Sequence, residues 1–151
     1  MILAVATALA LAPCVLPAGQ RTVSIGLAAY GHEFGGLGVV AFESEGFTLL
    51  VLSPGGTELF SVRQDGAGTT IHAAVAGWEP WLAQVPFERD LRLLSVSESC
   101  GVDGGRVRVG VEGCRRWRGR GGPARARQAP DGRWVLVDPR RQYRLSYKEA
   151  V

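Results

Sequence analysis

The sequence predicts a mainly β, single-domain protein with short helices, and three observations lead there. Short runs of strand-forming residues recur along the chain, each bounded by Gly, Pro, Asp or Ser. One stretch alone, residues 80–96, carries apolar residues at helical spacing. Glycine is frequent, at 21 of 151 residues, while runs of helix-favouring residues are few, which tilts the class further toward β. With 46% hydrophobic and 21% charged residues the composition is that of a folded globular chain. Its length suits one domain with a core that needs no structural metal.

The β segments follow in order. Residues 22–29 form the first candidate strand, and residues 37–43, after a start broken by Gly35-Gly36, the second. Residues 47–52 (Phe-Thr-Leu-Leu-Val-Leu) are almost entirely apolar and predict a strand covered on both faces. Ser53-Pro54-Gly55-Gly56 supplies a turn, because Pro54 presets φ and Gly55 accepts a positive φ. Residues 57–64 return, Asp65-Gly66-Ala67-Gly68 turns again, and residues 69–75 complete a meander of antiparallel hairpins. Residues 80–96 then predict one or two short helices packed on the sheet, with a break at Pro86. After a turn region at 101–105, residues 106–112 alternate Val with charged residues, which predicts a strand with one buried face. Residues 114–119, 134–137 and 143–147 are the remaining strands, with a loop at 119–123. No internal repeat is visible.

The N-terminal residues carry a different message. Ile2 to Ala12 form an uncharged apolar run of eleven residues. A membrane-spanning helix needs about 20 residues. The apolar core of an export signal needs roughly 7–15. Leu11-Ala12-Pro13-Cys14 resembles a bacterial lipobox, with Pro13 where Gly or Ala is usual. This resemblance implies residues 1–19 as signal and lipobox region, residues 20–151 as the domain, and Cys14 as the first mature residue, bearing a diacylglyceryl thioether and an amide-linked acyl chain such as palmitate. Cleavage near Ala18, giving a soluble periplasmic or secreted protein, and a buried apolar N-terminal strand are the alternatives.

Charge and cysteine content narrow the partners. Residues 1–99 hold four Arg and nine acidic residues, a net of −5; residues 100–151 hold twelve Arg, one Lys and five acidic residues, a net of +8. The excess gathers in Arg106, Arg108, Arg115, Arg116, Arg118, Arg120, Arg125 and Arg127, answered locally by Glu112. Arg115, Arg116 and Arg118 are the candidates for contact with an anionic surface, polysaccharide or protein partner, because guanidinium groups bind phosphate and carboxylate bidentately. A solvated strand face of a genome that spells basic residues as Arg is the plainer explanation of any one of them. There are three cysteines. If Cys14 is lipidated, Cys100 and Cys114 remain as a candidate disulfide in an oxidising compartment, worth on the order of 3 kcal/mol.

Catalytic chemistry finds little support. His32 and His72 lack metal-binding spacing, and the adjacent His32-Glu33 on a strand face opposite ways. Ser53 lacks a nucleophile elbow, and no glycine-rich loop follows a strand and opens a helix. No catalytic residue, metal or cofactor is expected. Trp117 among arginines is a faint nucleic-acid pattern, but export removes nucleic acid as a partner.

The block from Phe47 to Phe60, an apolar strand, a Ser-Pro-x-Gly turn and a strand with an apolar pair, resembles a hairpin of bacterial outer-membrane lipoprotein receptors of the LolB type. It is closer still to an uncharacterised group of envelope lipoproteins in the same LolA/LolB-like superfamily. The order of elements over residues 20–147 matches as well. The resemblance implies a fold, an unclosed antiparallel β half-barrel with a helical plug. It also implies a function, binding of lipid or lipoprotein acyl chains in an apolar cavity by a monomer anchored through lipid at the periplasmic face of the outer membrane. Leu49, Val51, Phe60, Trp81, Leu82, Leu91 and Leu94 are then the candidate cavity residues, with ordinary core packing as the alternative for each. The exposed apolar loop of those receptors has its nearest counterpart at residues 74–81, around Trp78. The other function class is a non-catalytic envelope module that works through the Arg-rich face.

Overall fold

A computed structural model describes residues 11–149; most of the apolar run at residues 2–12 lies outside the described residues. The chain forms β1 (Gly19–Ala29), β2 (His32–Glu43), β3 (Gly46–Leu52), β4 (Glu58–Asp65), β5 (Gly68–Ala73), α1 (Glu79–Leu82), α2 (Phe87–Ser95), β6 (Cys100–Val102), β7 (Gly105–Val109), β8 (Arg115–Gly119), β9 (Ala124–Gln128), β10 (Trp134–Asp138) and β11 (Tyr143–Glu149). A short 3-10 turn, Val111–Gly113, joins β7 to β8.

All eleven strands belong to one antiparallel sheet in the order β5-β4-β3-β2-β1-β11-β10-β9-β8-β7-β6. The first and last strands pair at its centre, with Val23 opposite Glu149 and Leu27 opposite Leu145. Every other contact is between sequence neighbours, so the sheet is two meanders joined along β1 and β11. It does not close: β5 and β6 are its edges, and the helical segment runs from one to the other.

Alternation decides which side is the core. Val23, Ile25 and Leu27 of β1, Val40 of β2, Leu49 and Val51 of β3, Phe60 and Val62 of β4, Leu136 of β10 and Leu145 of β11 are each at most 2% exposed. They form one cluster with Trp81 and Leu82 of α1 and Phe87, Leu91, Leu93 and Leu94 of α2. The helices therefore lie on this inner face. Pro80 sits in the first turn of α1, where its missing N–H costs nothing, and Pro86 stands at the N-cap of α2, separating the two helices as its ring requires. Among the described residues no helix is long and apolar enough to cross a membrane.

Several expectations change. The apolar β3 is not covered on both faces: Thr48, Leu50 and Leu52 are half-buried, because no described layer lies on the outer side. β2 begins at His32 and runs through Gly35 and Gly36 instead of starting after them. At Gly36 a Cβ would stand 2.0 Å from the Leu52 carbonyl oxygen, so glycine here permits a close approach of β2 to the end of β3. β6 occupies part of the expected turn, and β9 was not foreseen. Ala124-Arg125-Ala126-Arg127-Gln128 has weak strand propensity, and its pairing with β8 and β10 supplies what propensity lacks.

Gly36→Ala is expected to destabilise the protein by about 2–3 kcal/mol or to prevent folding, since the obstacle is backbone. The positive φ of the Ser53–Gly56 turn falls on Gly56, at +85°, and not on Gly55 as expected, so Gly55→Ala, with nothing closer than 3.8 Å, should be nearly neutral in the urea titration that reads both variants.

Candidate functional site

The seven expected cavity residues are brought together. Leu49, Val51, Phe60, Trp81, Leu82, Leu91 and Leu94 all lie in the inner-face cluster, none more than 5% exposed. They form packed core beneath the helices. Around them runs an aromatic group. His32 stacks on Trp81 with ring centroids 4.8 Å apart, Phe34 packs edge-on to Phe60 at 5.2 Å, and Trp78 lies 5.5 Å from both Phe34 and Trp81. Trp78 is thus turned toward the core and is not a protruding apolar residue, which corrects the expectation for residues 74–81. Among the described residues the buried Trp81 indole N–H has no partner, a cost of about 1–3 kcal/mol for such a donor.

A cavity of about 610 Å³ opens at the end of the inner face near the β2–β3 turn. Leu16, Phe42 and Phe47 form its apolar wall, and Glu43, Glu45, Glu88 and Arg92 stand around it. Its volume falls within the roughly 300–1,000 Å³ of small-molecule sites. Glu88 and Arg92 pair across one helical turn at 3.1 Å. On the opposite face of the sheet, Val39, Leu50, Ser61 and His72 line a second hollow of about 670 Å³.

The N-terminal segment reaches the first cavity from the far edge of the sheet. Gly101 of β6 donates from N–H to the Ala12 carbonyl at 2.8 Å and accepts from Cys14 N–H at 2.9 Å. Pro13 is the single parallel bridge between them. Cys14 is disulfide-bonded to Cys100. The expected Cys100–Cys114 bridge is therefore corrected: Cys114 is a free thiol. The pairing follows from the fold, which brings residue 14 alongside β6. A sulfur in a disulfide cannot carry a thioether, so the structure is that of the chain without lipid on Cys14.

The polar centre of the interior was not visible in the sequence. Arg89 and Asp90 of α2 and Asp138 of β10 are each at most 2% exposed. Arg89 Nε donates to Asp90 Oδ1 at 2.8 Å, and Nη2 lies 2.8 Å from Asp138 Oδ2. Nη2 also donates to the Tyr143 hydroxyl at 2.7 Å, which in turn donates to Asp90 Oδ2. Nη1 reaches the carbonyls of Gly121 and Gly122 at 3.0 and 3.1 Å. Two carboxylates and one hydroxyl thus enclose a single guanidinium, joining α2, the loop after β8, β10 and β11. Burial pushes the Asp90 carboxyl up to about 6, against the Arg89 guanidinium and the Tyr143 hydroxyl, which lower it. Burial also raises Asp138, but the Arg141 backbone N–H and the Arg89 guanidinium outweigh it and hold that carboxyl below its ordinary value. The only sequence signal was a charged pair, Arg89-Asp90, inside an otherwise amphipathic helix.

The three anionic-surface candidates separate by strand alternation. Arg116 and Arg118 are exposed on the outer side of β8. Arg115 is turned inward, which corrects its assignment to that surface. Its Nη1 donates to the Leu93 carbonyl at 3.0 Å, and its guanidinium lies 3.9 Å over the Trp134 ring. Burial lowers its pKa. His32 is on the inner face and Glu33 on the outer, as alternation requires. Among the described residues no group of three His, Cys, Asp or Glu is placed to hold a metal ion.

No protein-family model matches the chain, and no curated protein matches it either.

Two outcomes are expected. The folded pKa of Asp90, about 6, lies above the ordinary 3.8, so its contribution to stability is complete below pH 3.8 and is lost as pH rises through 6. Denaturant titrations should show stability falling between about pH 4 and 6, and Asp90→Asn should flatten that slope. The Cys14–Cys100 bond spans 86 residues, so Cys100→Ser should cost up to about 4–5 kcal/mol, read as a lower unfolding midpoint that reductant reproduces in the wild type.

Proposed function

We propose that this protein is an exported, non-catalytic carrier of the cell envelope that holds acyl chains of a lipid or lipoprotein. The chains would lie on the inner face of an unclosed β half-barrel, with α1 and α2 as a displaceable plug. One observation carries the reading. The apolar face of an eleven-stranded sheet is covered by two helices of four and nine residues strung between its free edges, and a cavity of about 610 Å³ already opens at the end of that face.

The physical argument is exchange of like for like. Trp81, Leu82, Phe87, Leu91 and Leu94 bury apolar surface on the sheet. An acyl chain that entered at Phe42 and Phe47 and slid under α2 would replace helix–sheet contact with ligand–sheet contact. Each buried CH₂ contributes about 0.8 kcal/mol toward that exchange. The Arg89 cluster holds the plug in place and sets the closed state. The unpartnered Trp81 N–H would have an ester or amide carbonyl to donate to once such a ligand is in place.

Export is supported by the Cys14–Cys100 bond, since disulfides form and persist in oxidising compartments. The bond needs Cys14 kept in the chain with its sulfur free of lipid: cleavage near Ala18, which gives the soluble form, would remove the residue, and the lipid-anchored form at the outer membrane requires Cys14 to be released from Cys100. Mass spectrometry of the native protein separates the two by the mature N-terminus and the mass on Cys14.

Uptake of an apolar fluorescent probe, displaced by palmitate, tests the carrier function. Tyr143→Phe, which removes one tie of the plug, should increase uptake severalfold. Leu16→Trp, which fills the cavity entrance, should reduce it with little change in thermal midpoint. Absence of uptake by the wild type and by Tyr143→Phe alike would end the proposal.

A further inference from the structure

The outer face of the second meander presents a feature that the inner-face reading does not use. The outward positions of β7, β8, β9, β10 and β11 are Arg106, Arg108, Arg116, Arg118, Arg125, Arg127, Val135, Val137, Arg144, Ser146 and Lys148. No acidic residue is among them. The register sets like charges directly side by side. Arg106 stands opposite Arg118, Arg108 opposite Arg116, and Arg116 opposite Arg125. Among the described residues none of the seven arginines takes part in an ion pair. All seven are exposed.

Direct cross-strand pairs of like charge oppose folding. Among the described residues the array gains no ion pair that would offset this repulsion. A second observation is local. Arg116, Arg118 and Arg125 line a hollow of about 200 Å³ whose wall includes Pro123 and Pro139. Three arginine side chains lining one small depression offer donors for a single phosphate, because the planar fork of Arg binds phosphate oxygens bidentately.

We propose that the outer face of β7–β9, with Arg144, docks on a membrane surface through anionic phospholipid headgroups, with one headgroup phosphate in the hollow among Arg116, Arg118 and Arg125. The chemistry favours a headgroup layer over nucleic acid. Binding of single-stranded nucleic acid uses aromatic side chains on which bases stack. Here Trp117 is 4% exposed on the inner face, and Trp134 lies on the same inner side beneath Arg115. What remains outside is an extended array of cations on a sheet surface, suited to many phosphates presented side by side. The proposal stands whether or not the inner face binds acyl chains.

The test is co-sedimentation of the full chain with phosphatidylcholine vesicles, with and without phosphatidylglycerol, for the wild type and for Arg116→Gln/Arg118→Gln/Arg125→Gln. Each basic residue near an anionic surface is worth about 1 kcal/mol, so the triple variant should bind phosphatidylglycerol vesicles about 150-fold more weakly. Wild-type binding should fall as salt rises. The unfolding midpoint of the variant should equal or exceed that of the wild type, because like-charge neighbours have been removed. If the triple variant does not fold, Arg127→Gln/Arg144→Gln on the rim should show about a thirtyfold loss. Unchanged binding of the folded variant overturns the proposal. So does tighter wild-type binding to duplex DNA or soluble polyphosphate than to phosphatidylglycerol vesicles at equal phosphate concentration.

Discussion

The buried Arg89 guanidinium decides how the helical segment sits on the sheet. A charge at 2% exposure must be paired and hydrogen-bonded, and removing either partner of such a pair is far more damaging than never having had it. Asp90 comes from the same helix, while Asp138 and Tyr143 come from β10 and β11 at the heart of the second meander. The carbonyls of Gly121 and Gly122 complete the ring of acceptors. Apolar contact alone would let α2 slide along a greasy face; the guanidinium permits one position. The same cluster anchors a nine-residue helix that has no side-chain N-cap bond and is too short to be stable by itself.

The rest of the architecture follows from an open sheet with one apolar face. Eleven strands bury one side, and the chain has only residues 74–99 with which to cover it between the two meanders. The helical segment covers the centre, the aromatic group around His32 and Trp81 fills the β5 side, and the N-terminal segment runs from β6 toward β1 beside the remaining cavity. The bonds of residues 12–14 also satisfy backbone groups on the free edge of β6, which would otherwise invite pairing with another chain. The disulfide makes that cover covalent. Opening of the interior, if acyl chains enter it, has its natural direction at the cavity beside Leu16, Phe42 and Phe47, away from the Arg89 cluster.

The two sides of the sheet therefore pose separate chemical questions. The inner side is apolar with one satisfied polar centre. The outer side of the second meander is a row of exposed arginines that make no ion pair among the described residues. Acyl binding inside and headgroup contact outside are compatible, since the residues involved do not overlap.

The sequence by itself determined the elements whose side chains alternate or repeat strongly. The first meander, the Ser53–Gly56 turn, the break at Pro86 and the last strands are legible because turn residues and periodic apolar positions are local properties. The apolar character of Leu49, Val51, Phe60, Leu82 and Leu91 was legible for the same reason. Only the tertiary structure decided what brings distant residues together. β9 exists because two neighbours offer it backbone partners, although Ala-Arg-Ala-Arg has little strand preference of its own. Cys14 meets Cys100 because the fold lays residues 12–14 along β6, whereas the lipobox-like segment set Cys14 aside for lipid and left Cys100 to pair with Cys114. Arg115 and Arg116 are adjacent in the chain and lie on opposite sides of the sheet, a consequence of the two-residue period of a strand. The Arg89–Asp90–Asp138–Tyr143 cluster joins residues some fifty positions apart, and no local pattern announces a pairing that three-dimensional packing creates.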